Sequence, residues 1–359
     1  MKTLLLCPEL FSREGGIQRI LRLYLKAIGE LAVAGDEVRL VVLNDREFPP
    51  AALARYGTDR LGRRHPCAGS KLRFIWRTLQ CAAGADRVIC GHLGLLPVAR
   101  FAQRLHPRLN TYLVAHGIEV WRPYSPFEQR ALRGARRVFC VSDYTRGEML
   151  RRTGLPAARF TVVPNTLEPD FELAPPSGAP AAGAPVILCV ARLDSGDFEK
   201  GVDRLIGALP AVRAAVPAAR LRIVGTGSDL PRLRRLAGGS AASAAIEFTG
   251  CIDDPALRAA YRDCALFALP SPKEGFGLVY LEAMAQGRPC LGVRAGGVPE
   301  VIDDTCGVLV DDRDDAQLAA KLVWALQQPW NPAQIRGRAA RFSFPVFKEN
   351  LRHALELAP

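Results

Sequence analysis

Ser271-Pro-Lys-Glu-Gly-Phe-Gly-Leu-Val-Tyr-Leu-Glu-Ala-Met-Ala285 is the stretch from which the fold is read. The apolar run Cys264 to Leu269 before it predicts a buried parallel strand that stops at Pro270. A loop follows with Glu274, Gly275 and Gly277, and then a helix from about Leu278 to Gly287, with Pro289 just beyond. Glycines let a ligand approach the backbone, and the first N–H groups of a helix point outward with partial positive charge. Glu274 and Glu282 bracket that helix start. The pattern suits a diphosphate at the helix N-terminus, with a carboxylate on each side to accept hydroxyl protons.

Outward from this stretch, strand and helix patterns alternate along the chain, which argues for parallel sheets covered by helices. Thr3–Cys7, Glu37–Leu43, Arg87–Cys90, Thr111–Ala115, Arg137–Val141 and Thr161–Val163 read as strands of a first domain, residues 1–172. Residues 173–185 are rich in Pro, Gly and Ala without periodicity and read as a linker. The pattern restarts in 186–344 with Val186–Val190, Leu221–Val224, Ile246–Thr249, Ala265–Leu269, Cys290–Val293 and Val308–Val310. Val346–Leu357 reads as a final helix. The two halves show no sequence repeat.

A chain of 359 residues with 49% apolar composition is long enough for two α/β domains. No apolar run reaches the ~18 residues of a transmembrane helix. Met1–Pro8 is too short and too soon broken for a signal peptide, and reads as a first strand. The ten cysteines are scattered, with no C-x-x-C pair, as expected for buried free thiols in a reducing cytoplasm. Net charge is +12 and uneven: residues 1–172 hold 27 Lys and Arg against 16 Asp and Glu, the remainder 21 against 20. That asymmetry points either to plain Arg-rich composition or to an anionic partner. Within it, Arg60, Arg63, Arg64, Lys71, Arg73 and Arg77 lie among Leu72, Ile75, Trp76 and Leu79. A basic helix near 60–79 fits a membrane surface, and equally an ordinary amphipathic helix on a sheet.

Arg192 closes the strand Val186–Ala191, and Lys200 follows in Asp197-Phe-Glu-Lys-Gly201. Cations at the carboxyl end of a parallel strand face the crevice where open α/β sheets bind ligands. Arg forks two phosphate oxygens, and Lys supplies a point charge. Gly225-Thr-Gly227 follows another strand end, but Leu230 breaks a G-x-G-x-x-G fingerprint. Ser142 or Asp143 makes an ordinary helix cap.

Glu274 and Glu282, with seven residues between them, resemble the E-x7-E signature of the retaining glycosyltransferases of family 4. Arg192 and Lys200 are similar to that family's diphosphate-holding pair, although Glu199 stands where relatives carry an aromatic or polar residue. The resemblance extends to Gly15-Gly16, His116-Gly117, Gly225–Gly227, Thr249-Gly-Cys-Ile252, Gly296-Gly297-Val-Pro-Glu300 and Val163-Pro-Asn165, where Thr166 replaces the usual Gly. It covers nearly the whole chain and is thinnest in 44–85.

The resemblance implies an α/β chain of the GT-B type, two Rossmann-like domains with parallel sheets facing across a cleft. It also implies that the final helix, about 345–359, crosses back to the first domain. It assigns catalysis to His116, Arg192, Lys200 and Glu274. Nucleotide-sugar binding falls to Gly15, Gly16, Gly225, Gly227, Cys251, Ile252, Gly275, Phe276, Gly277, Leu278 and Glu282. The expected activity is transfer of a hexose, with retention, from a UDP- or GDP-sugar to a glycan or polyprenyl-diphosphate-linked acceptor in cell-surface polysaccharide assembly. No metal or other cofactor is expected, since the two cations and the helix dipole take the metal's role. Nor is a nucleic-acid partner: the basic half lacks a stacking or recognition-helix motif. The expected location is the cytoplasm, peripheral on the anionic inner face of the plasma membrane. Rival readings are a nucleotide-sugar epimerase of the same fold and a non-catalytic glycan- or nucleic-acid-binding protein.

Overall fold

The computed structural model describes residues 1–172 and 183–357. Most of the expected linker, residues 173–182, lies outside the described residues, as do 358 and 359. The chain forms two compact units, Met1–Thr166 with Phe344–Pro359, and Leu167–Ser343.

The first unit is built on a seven-stranded sheet: β1 (Lys2–Cys7), β2 (Glu37–Val42), β3 (Leu61–Pro66), β4 (Arg87–Cys90), β5 (Asn110–Ala115), β6 (Arg137–Cys140) and β7 (Phe160–Val162). The order is β3-β2-β1-β4-β5-β6-β7 and every pair is parallel. A parallel sheet is covered on both faces, so its central strands are apolar throughout. Leu4, Leu5 and Leu6 are fully buried. Leu4 and Leu6 join the core under the helices Lys71–Ala82, Leu96–Leu105 and Pro126–Gly134.

The stretch 44–85 departs from the basic helix expected near 60–79. It holds no single basic helix: Arg63 and Arg64 ride on the edge strand β3, and the helix is Lys71–Ala82. The alternation Leu-Gly-Arg-Arg-His-Pro is too polar to announce a strand, because an edge strand buries little. Ser70 caps the helix through the Arg73 amide, and buried Arg39 donates to the carbonyls of Cys81 (2.7 Å) and Ala83 (2.8 Å) at its far end.

The second unit carries a six-stranded parallel sheet: β8 (Val186–Val190), β9 (Arg220–Val224), β10 (Ile246–Gly250), β11 (Leu266–Ala268), β12 (Cys290–Val293) and β13 (Gly307–Val310), in the order β10-β9-β8-β11-β12-β13. Leu167–Glu172 belongs to this unit, before the expected break. Phe171 packs edge-on against Tyr261 under the Arg258 guanidinium, which donates to the Asp170 carbonyl at 2.9 Å.

The last helix, Phe344–Ala354, packs in the first unit. Phe347 meets Tyr24 edge-on at 5.0 Å, both fully buried, and Lys348 pairs with Glu30 at 2.9 Å. Glu356 beyond it bridges Arg136 and Arg137. Replacing Phe347 by Ala removes the ring that seats this helix. It should cost about 3–5 kcal/mol, read as a lowered thermal midpoint of the full chain.

Candidate functional site

In both sheets the strand order reverses beside the first strand, between β1 and β4 and between β8 and β11. Loops leaving such neighbours diverge, and ligands of open α/β sheets bind in the crevice left behind. In the second unit Arg192 and Lys200 follow β8, and Glu274 follows β11. Lys200 Nζ lies 2.6 Å from Glu274 Oε1, both largely shielded from solvent. Arg192 and Lys200 line one recess with Asp197, Asp203, Asp229 and Arg232. Asp197 accepts from Arg192 at 2.5 Å, and that bond raises the guanidinium's pKa further. Glu199, the departure in the motif, turns to Lys273 at 2.5 Å and leaves Lys200 to Glu274.

The glycines explain how these loops come so close. A β-carbon on Gly201 would collide with the Pro270 carbonyl, one on Gly296 with the Glu274 carbonyl, and one on Gly297 with the Gly275 carbonyl. Gly297 N–H donates to Glu274 O at 2.8 Å. The Glu274 loop is therefore gripped through its backbone. Gly225 and Gly227 do the same for Arg192: β-carbons there would overlap the carbonyls of Ala191 and Leu193, while Leu193 N–H bonds to Thr226 O at 3.0 Å.

Gly277 caps the helix Leu278–Ala285 with φ +93°, a left-handed conformation open to glycine, and no side chain caps its first turn. Gly275 precedes it, and Leu278 is half-buried. Phe276 differs from a ligand-facing ring: it is buried edge-on against Phe342, so its backbone alone is left for a ligand. Glu282 is 5% exposed, and Tyr261, fully buried, donates to its Oε2 at 2.7 Å. Tyr280 donates to the Leu269 carbonyl at 2.6 Å, tying the helix to the end of β11. Cys251 is the exposed cysteine among ten free ones, and Ile252 beside it is half-buried.

In the first unit the switch point is lined by the loop after β1 and by His92 after β4. Gly15 and Gly16 open the helix Gly16–Leu31. The loop before them is pinned by buried Asp45, which accepts from the Phe11 amide (3.0 Å) and the Ser12 hydroxyl (2.9 Å). Glu14 is forked by buried Arg22 at 2.7 and 2.9 Å. His116 follows β5. Its Nε2 lies 2.9 Å from the Gly91 carbonyl and so carries the proton, and its backbone N–H donates to Glu119 at 2.5 Å. His92 Nδ1 accepts from the Gly94 amide at 3.0 Å, which leaves the proton on Nε2; burial pushes its pKa down. Asp45, His92, Asp197 and Tyr261 were not singled out in the sequence. His92 and Asp45 each left a signal, a polar residue two positions past an apolar run. Among the described residues, no group of three or more His, Cys, Asp or Glu is placed to hold a metal ion.

Residues 15–171 match the family profile described as Glycosyltransferase Family 4, and residues 184–328 the one described as Glycosyl transferases group 1. With its two parallel-sheet units, the chain belongs to the family-4-type glycosyltransferases of GT-B fold. Among particular proteins it is similar to the GDP-mannose-dependent alpha-(1-6)-phosphatidylinositol monomannoside mannosyltransferase of Mycolicibacterium smegmatis, 36% identical over 55% of this chain and 56% of that one. The protein of the same name from Mycobacterium tuberculosis is 33% identical over 63% of this chain and 61% of its own. The chain thus spans about three-fifths of these curated relatives' length. In fold it resembles Anabaena HepE in complex with UDP and glucose, with a TM-score of 0.79 at 20% identity over 99% of each chain.

The Tyr261–Glu282 bond yields a test. Tyr261→Phe leaves a buried carboxylate short of a donor and should destabilise the chain by about 1–3 kcal/mol. If Glu282 faces the nucleotide ribose, thermal-shift titration should also show weakened UDP or GDP binding.

Proposed function

We propose that the chain is a retaining hexosyltransferase that moves a sugar from a GDP- or UDP-linked donor to an acceptor hydroxyl borne on a lipid or glycan. The observation that carries this reading is the Lys200–Glu274 contact at the β8/β11 switch point, with Arg192 lining the same recess as Lys200. Arg192, Lys200 and the uncapped helix start at Gly277 and Leu278 would neutralise the leaving diphosphate. Glu274 would orient the donor sugar. Glu282, buried and bonded to Tyr261, would face the ribose. Gly225, Gly227, Cys251, Ile252, Gly275 and Phe276 would frame the nucleotide, several through backbone alone. His116, with Nε2 committed to Gly91, would present Nδ1 to a sugar hydroxyl beside Gly15 and Gly16. The mannosyltransferase relatives favour GDP-mannose and a lipid-borne acceptor. Assembly of a cell-surface polysaccharide or glycolipid is the setting this chemistry suits.

The first unit supplies a surface for such an acceptor. Three neighbouring helices expose large apolar side chains: Leu72 (82%) and Trp76 (52%) on Lys71–Ala82, Phe101 on Leu96–Leu105, and Phe127 (75%) on Pro126–Gly134. Arg77 lies over the Trp76 ring at 4.3 Å, and exposed Arg63, Arg64 and Arg73 stand nearby in sequence. Apolar tips ringed by cations match an anionic membrane surface. Among the described residues no helix is long and apolar enough to cross a membrane. We therefore infer peripheral attachment to the inner face of the plasma membrane, from the cytoplasm.

Two experiments test these readings. Incubation with a panel of UDP- and GDP-sugars plus a lipid-linked acceptor should give a glycosidic product that keeps the donor's anomeric configuration by NMR. Turnover should survive excess EDTA, and Arg192→Ala or Lys200→Ala should lower it by roughly two to three orders of magnitude, about 3–4 kcal/mol for lost charge stabilisation. Conversion of donor without acceptor would favour an epimerase, and near wild-type transfer by both variants would remove the diphosphate assignment. Separately, the protein should sediment with anionic vesicles, release as salt shortens the screening length to ~3 Å at 1 M, and ignore neutral vesicles. Changing Arg63, Arg64, Arg73 and Arg77 together to Gln should weaken that binding, and unchanged binding would clear this face of the role.

A further inference from the structure

Arg192 is 69% exposed, yet it does not stand open to a ligand. Asp197 lies 2.5 Å from both Nε and Nη2, so the two-pronged edge of the guanidinium is occupied. This edge is one of those by which Arg binds a phosphate with paired hydrogen bonds. Asp194 approaches Nε at 3.4 Å and is itself fixed by the Ser228 amide at 3.1 Å. Asp197 is held at a kink of the Ser195–Lys200 turn, where its amide donates to the Asp194 carbonyl at 2.8 Å. The other acid of that turn, Glu199, faces Lys273 instead. One carboxylate is thus placed on a face of Arg192 that an incoming diphosphate can use.

We propose that Asp197 is a built-in competitor for Arg192: its carboxylate is displaced each time a nucleoside diphosphate group binds, and it returns to help release the product nucleotide. The inference rests on the donor site proposed above. The exchange is feasible because an exposed ion pair contributes little, and a diphosphate brings more charge to the same fork. After the exchange Asp197 stays tethered to the same turn as a like charge near the phosphates. It therefore lowers affinity in the bound state as well. A positioning role for Asp197 makes the opposite prediction, since removing it would let Arg192 wander and weaken binding. A structural role cannot improve binding either, so the sign of the change decides.

The test is calorimetric titration of UDP and GDP into the wild-type chain, Asp197→Asn and Asp197→Ala. Glu199→Gln serves as a control that removes a charge from the same turn without touching Arg192. Both Asp197 variants should bind the preferred nucleotide roughly three- to tenfold tighter, with matching stronger product inhibition, while Glu199→Gln changes affinity by clearly less. Equal or weaker binding by both Asp197 variants overturns the inference and leaves the donor site standing. A gain in Glu199→Gln as large as in the Asp197 variants also overturns it, because the effect would then be general charge. No binding of either nucleotide by any of the proteins overturns the donor site and the inference together.

Discussion

Backbone lies against backbone around the Glu274 loop, and that contact is what the rest of the second unit's site depends on. The carbonyls of Pro270, Glu274 and Gly275 occupy space that β-carbons on Gly201, Gly296 and Gly297 would need. Two separate segments, at Gly201 and at Gly296-Gly297, therefore converge on one loop with no side chain between them. The loop in turn carries Glu274 to Lys200 and delivers the chain to the left-handed turn at Gly277. A site for a flexible diphosphate needs donors fixed before the ligand arrives, since each loose group adds an ordering cost. Glycine contacts supply that rigidity without occupying the space the ligand would use.

The electrostatics follow from the same geometry. Each of the cations in the recess has a carboxylate partner: Asp197 for Arg192, Glu274 for Lys200, and Asp229 with Asp203 for Arg232. Such pairing keeps a cluster of like charges stable in the absence of an anion. The pairs differ in depth. Lys200 and Glu274 are mostly shielded, whereas Arg192 is largely exposed, so its bond is the weaker and more easily exchanged. Depth thus separates a firmly held pair from a more exchangeable one within a single recess.

The first unit solves a parallel problem with different groups. Its switch point is lined by imidazoles and glycines, and its β1 loop is pinned by Asp45 and Arg22. Groups of this kind can donate and accept without adding net charge, which suits hydroxyls. On the same unit, Arg39 fastens the end of the helix that displays Leu72 and Trp76. The exposed apolar tips thus sit on an anchored helix and not on a loose one.

The sequence alone determined the alternation of strands and helices, because a parallel sheet buried on both faces writes continuous apolar runs such as Leu4–Leu6. It also determined the strand-to-helix turn with Glu274 and Glu282, since glycines and a proline there leave few backbone choices. It did not announce β3, whose edge position tolerates Gly62, Arg63 and Arg64, so a strand and a helix merged into one expected basic helix. Only the tertiary structure decided that Asp197 rather than Glu199 meets Arg192, and that Phe276 packs on Phe342 instead of facing a ligand. The Tyr261–Glu282 bond and the grip of Asp45 on the β1 loop were equally out of reach. The physical reason is common to all four. Periodicity reports which face of an element is buried, but the partner of a given side chain is set by how loops fold and segments cross in three dimensions, which the local pattern does not encode.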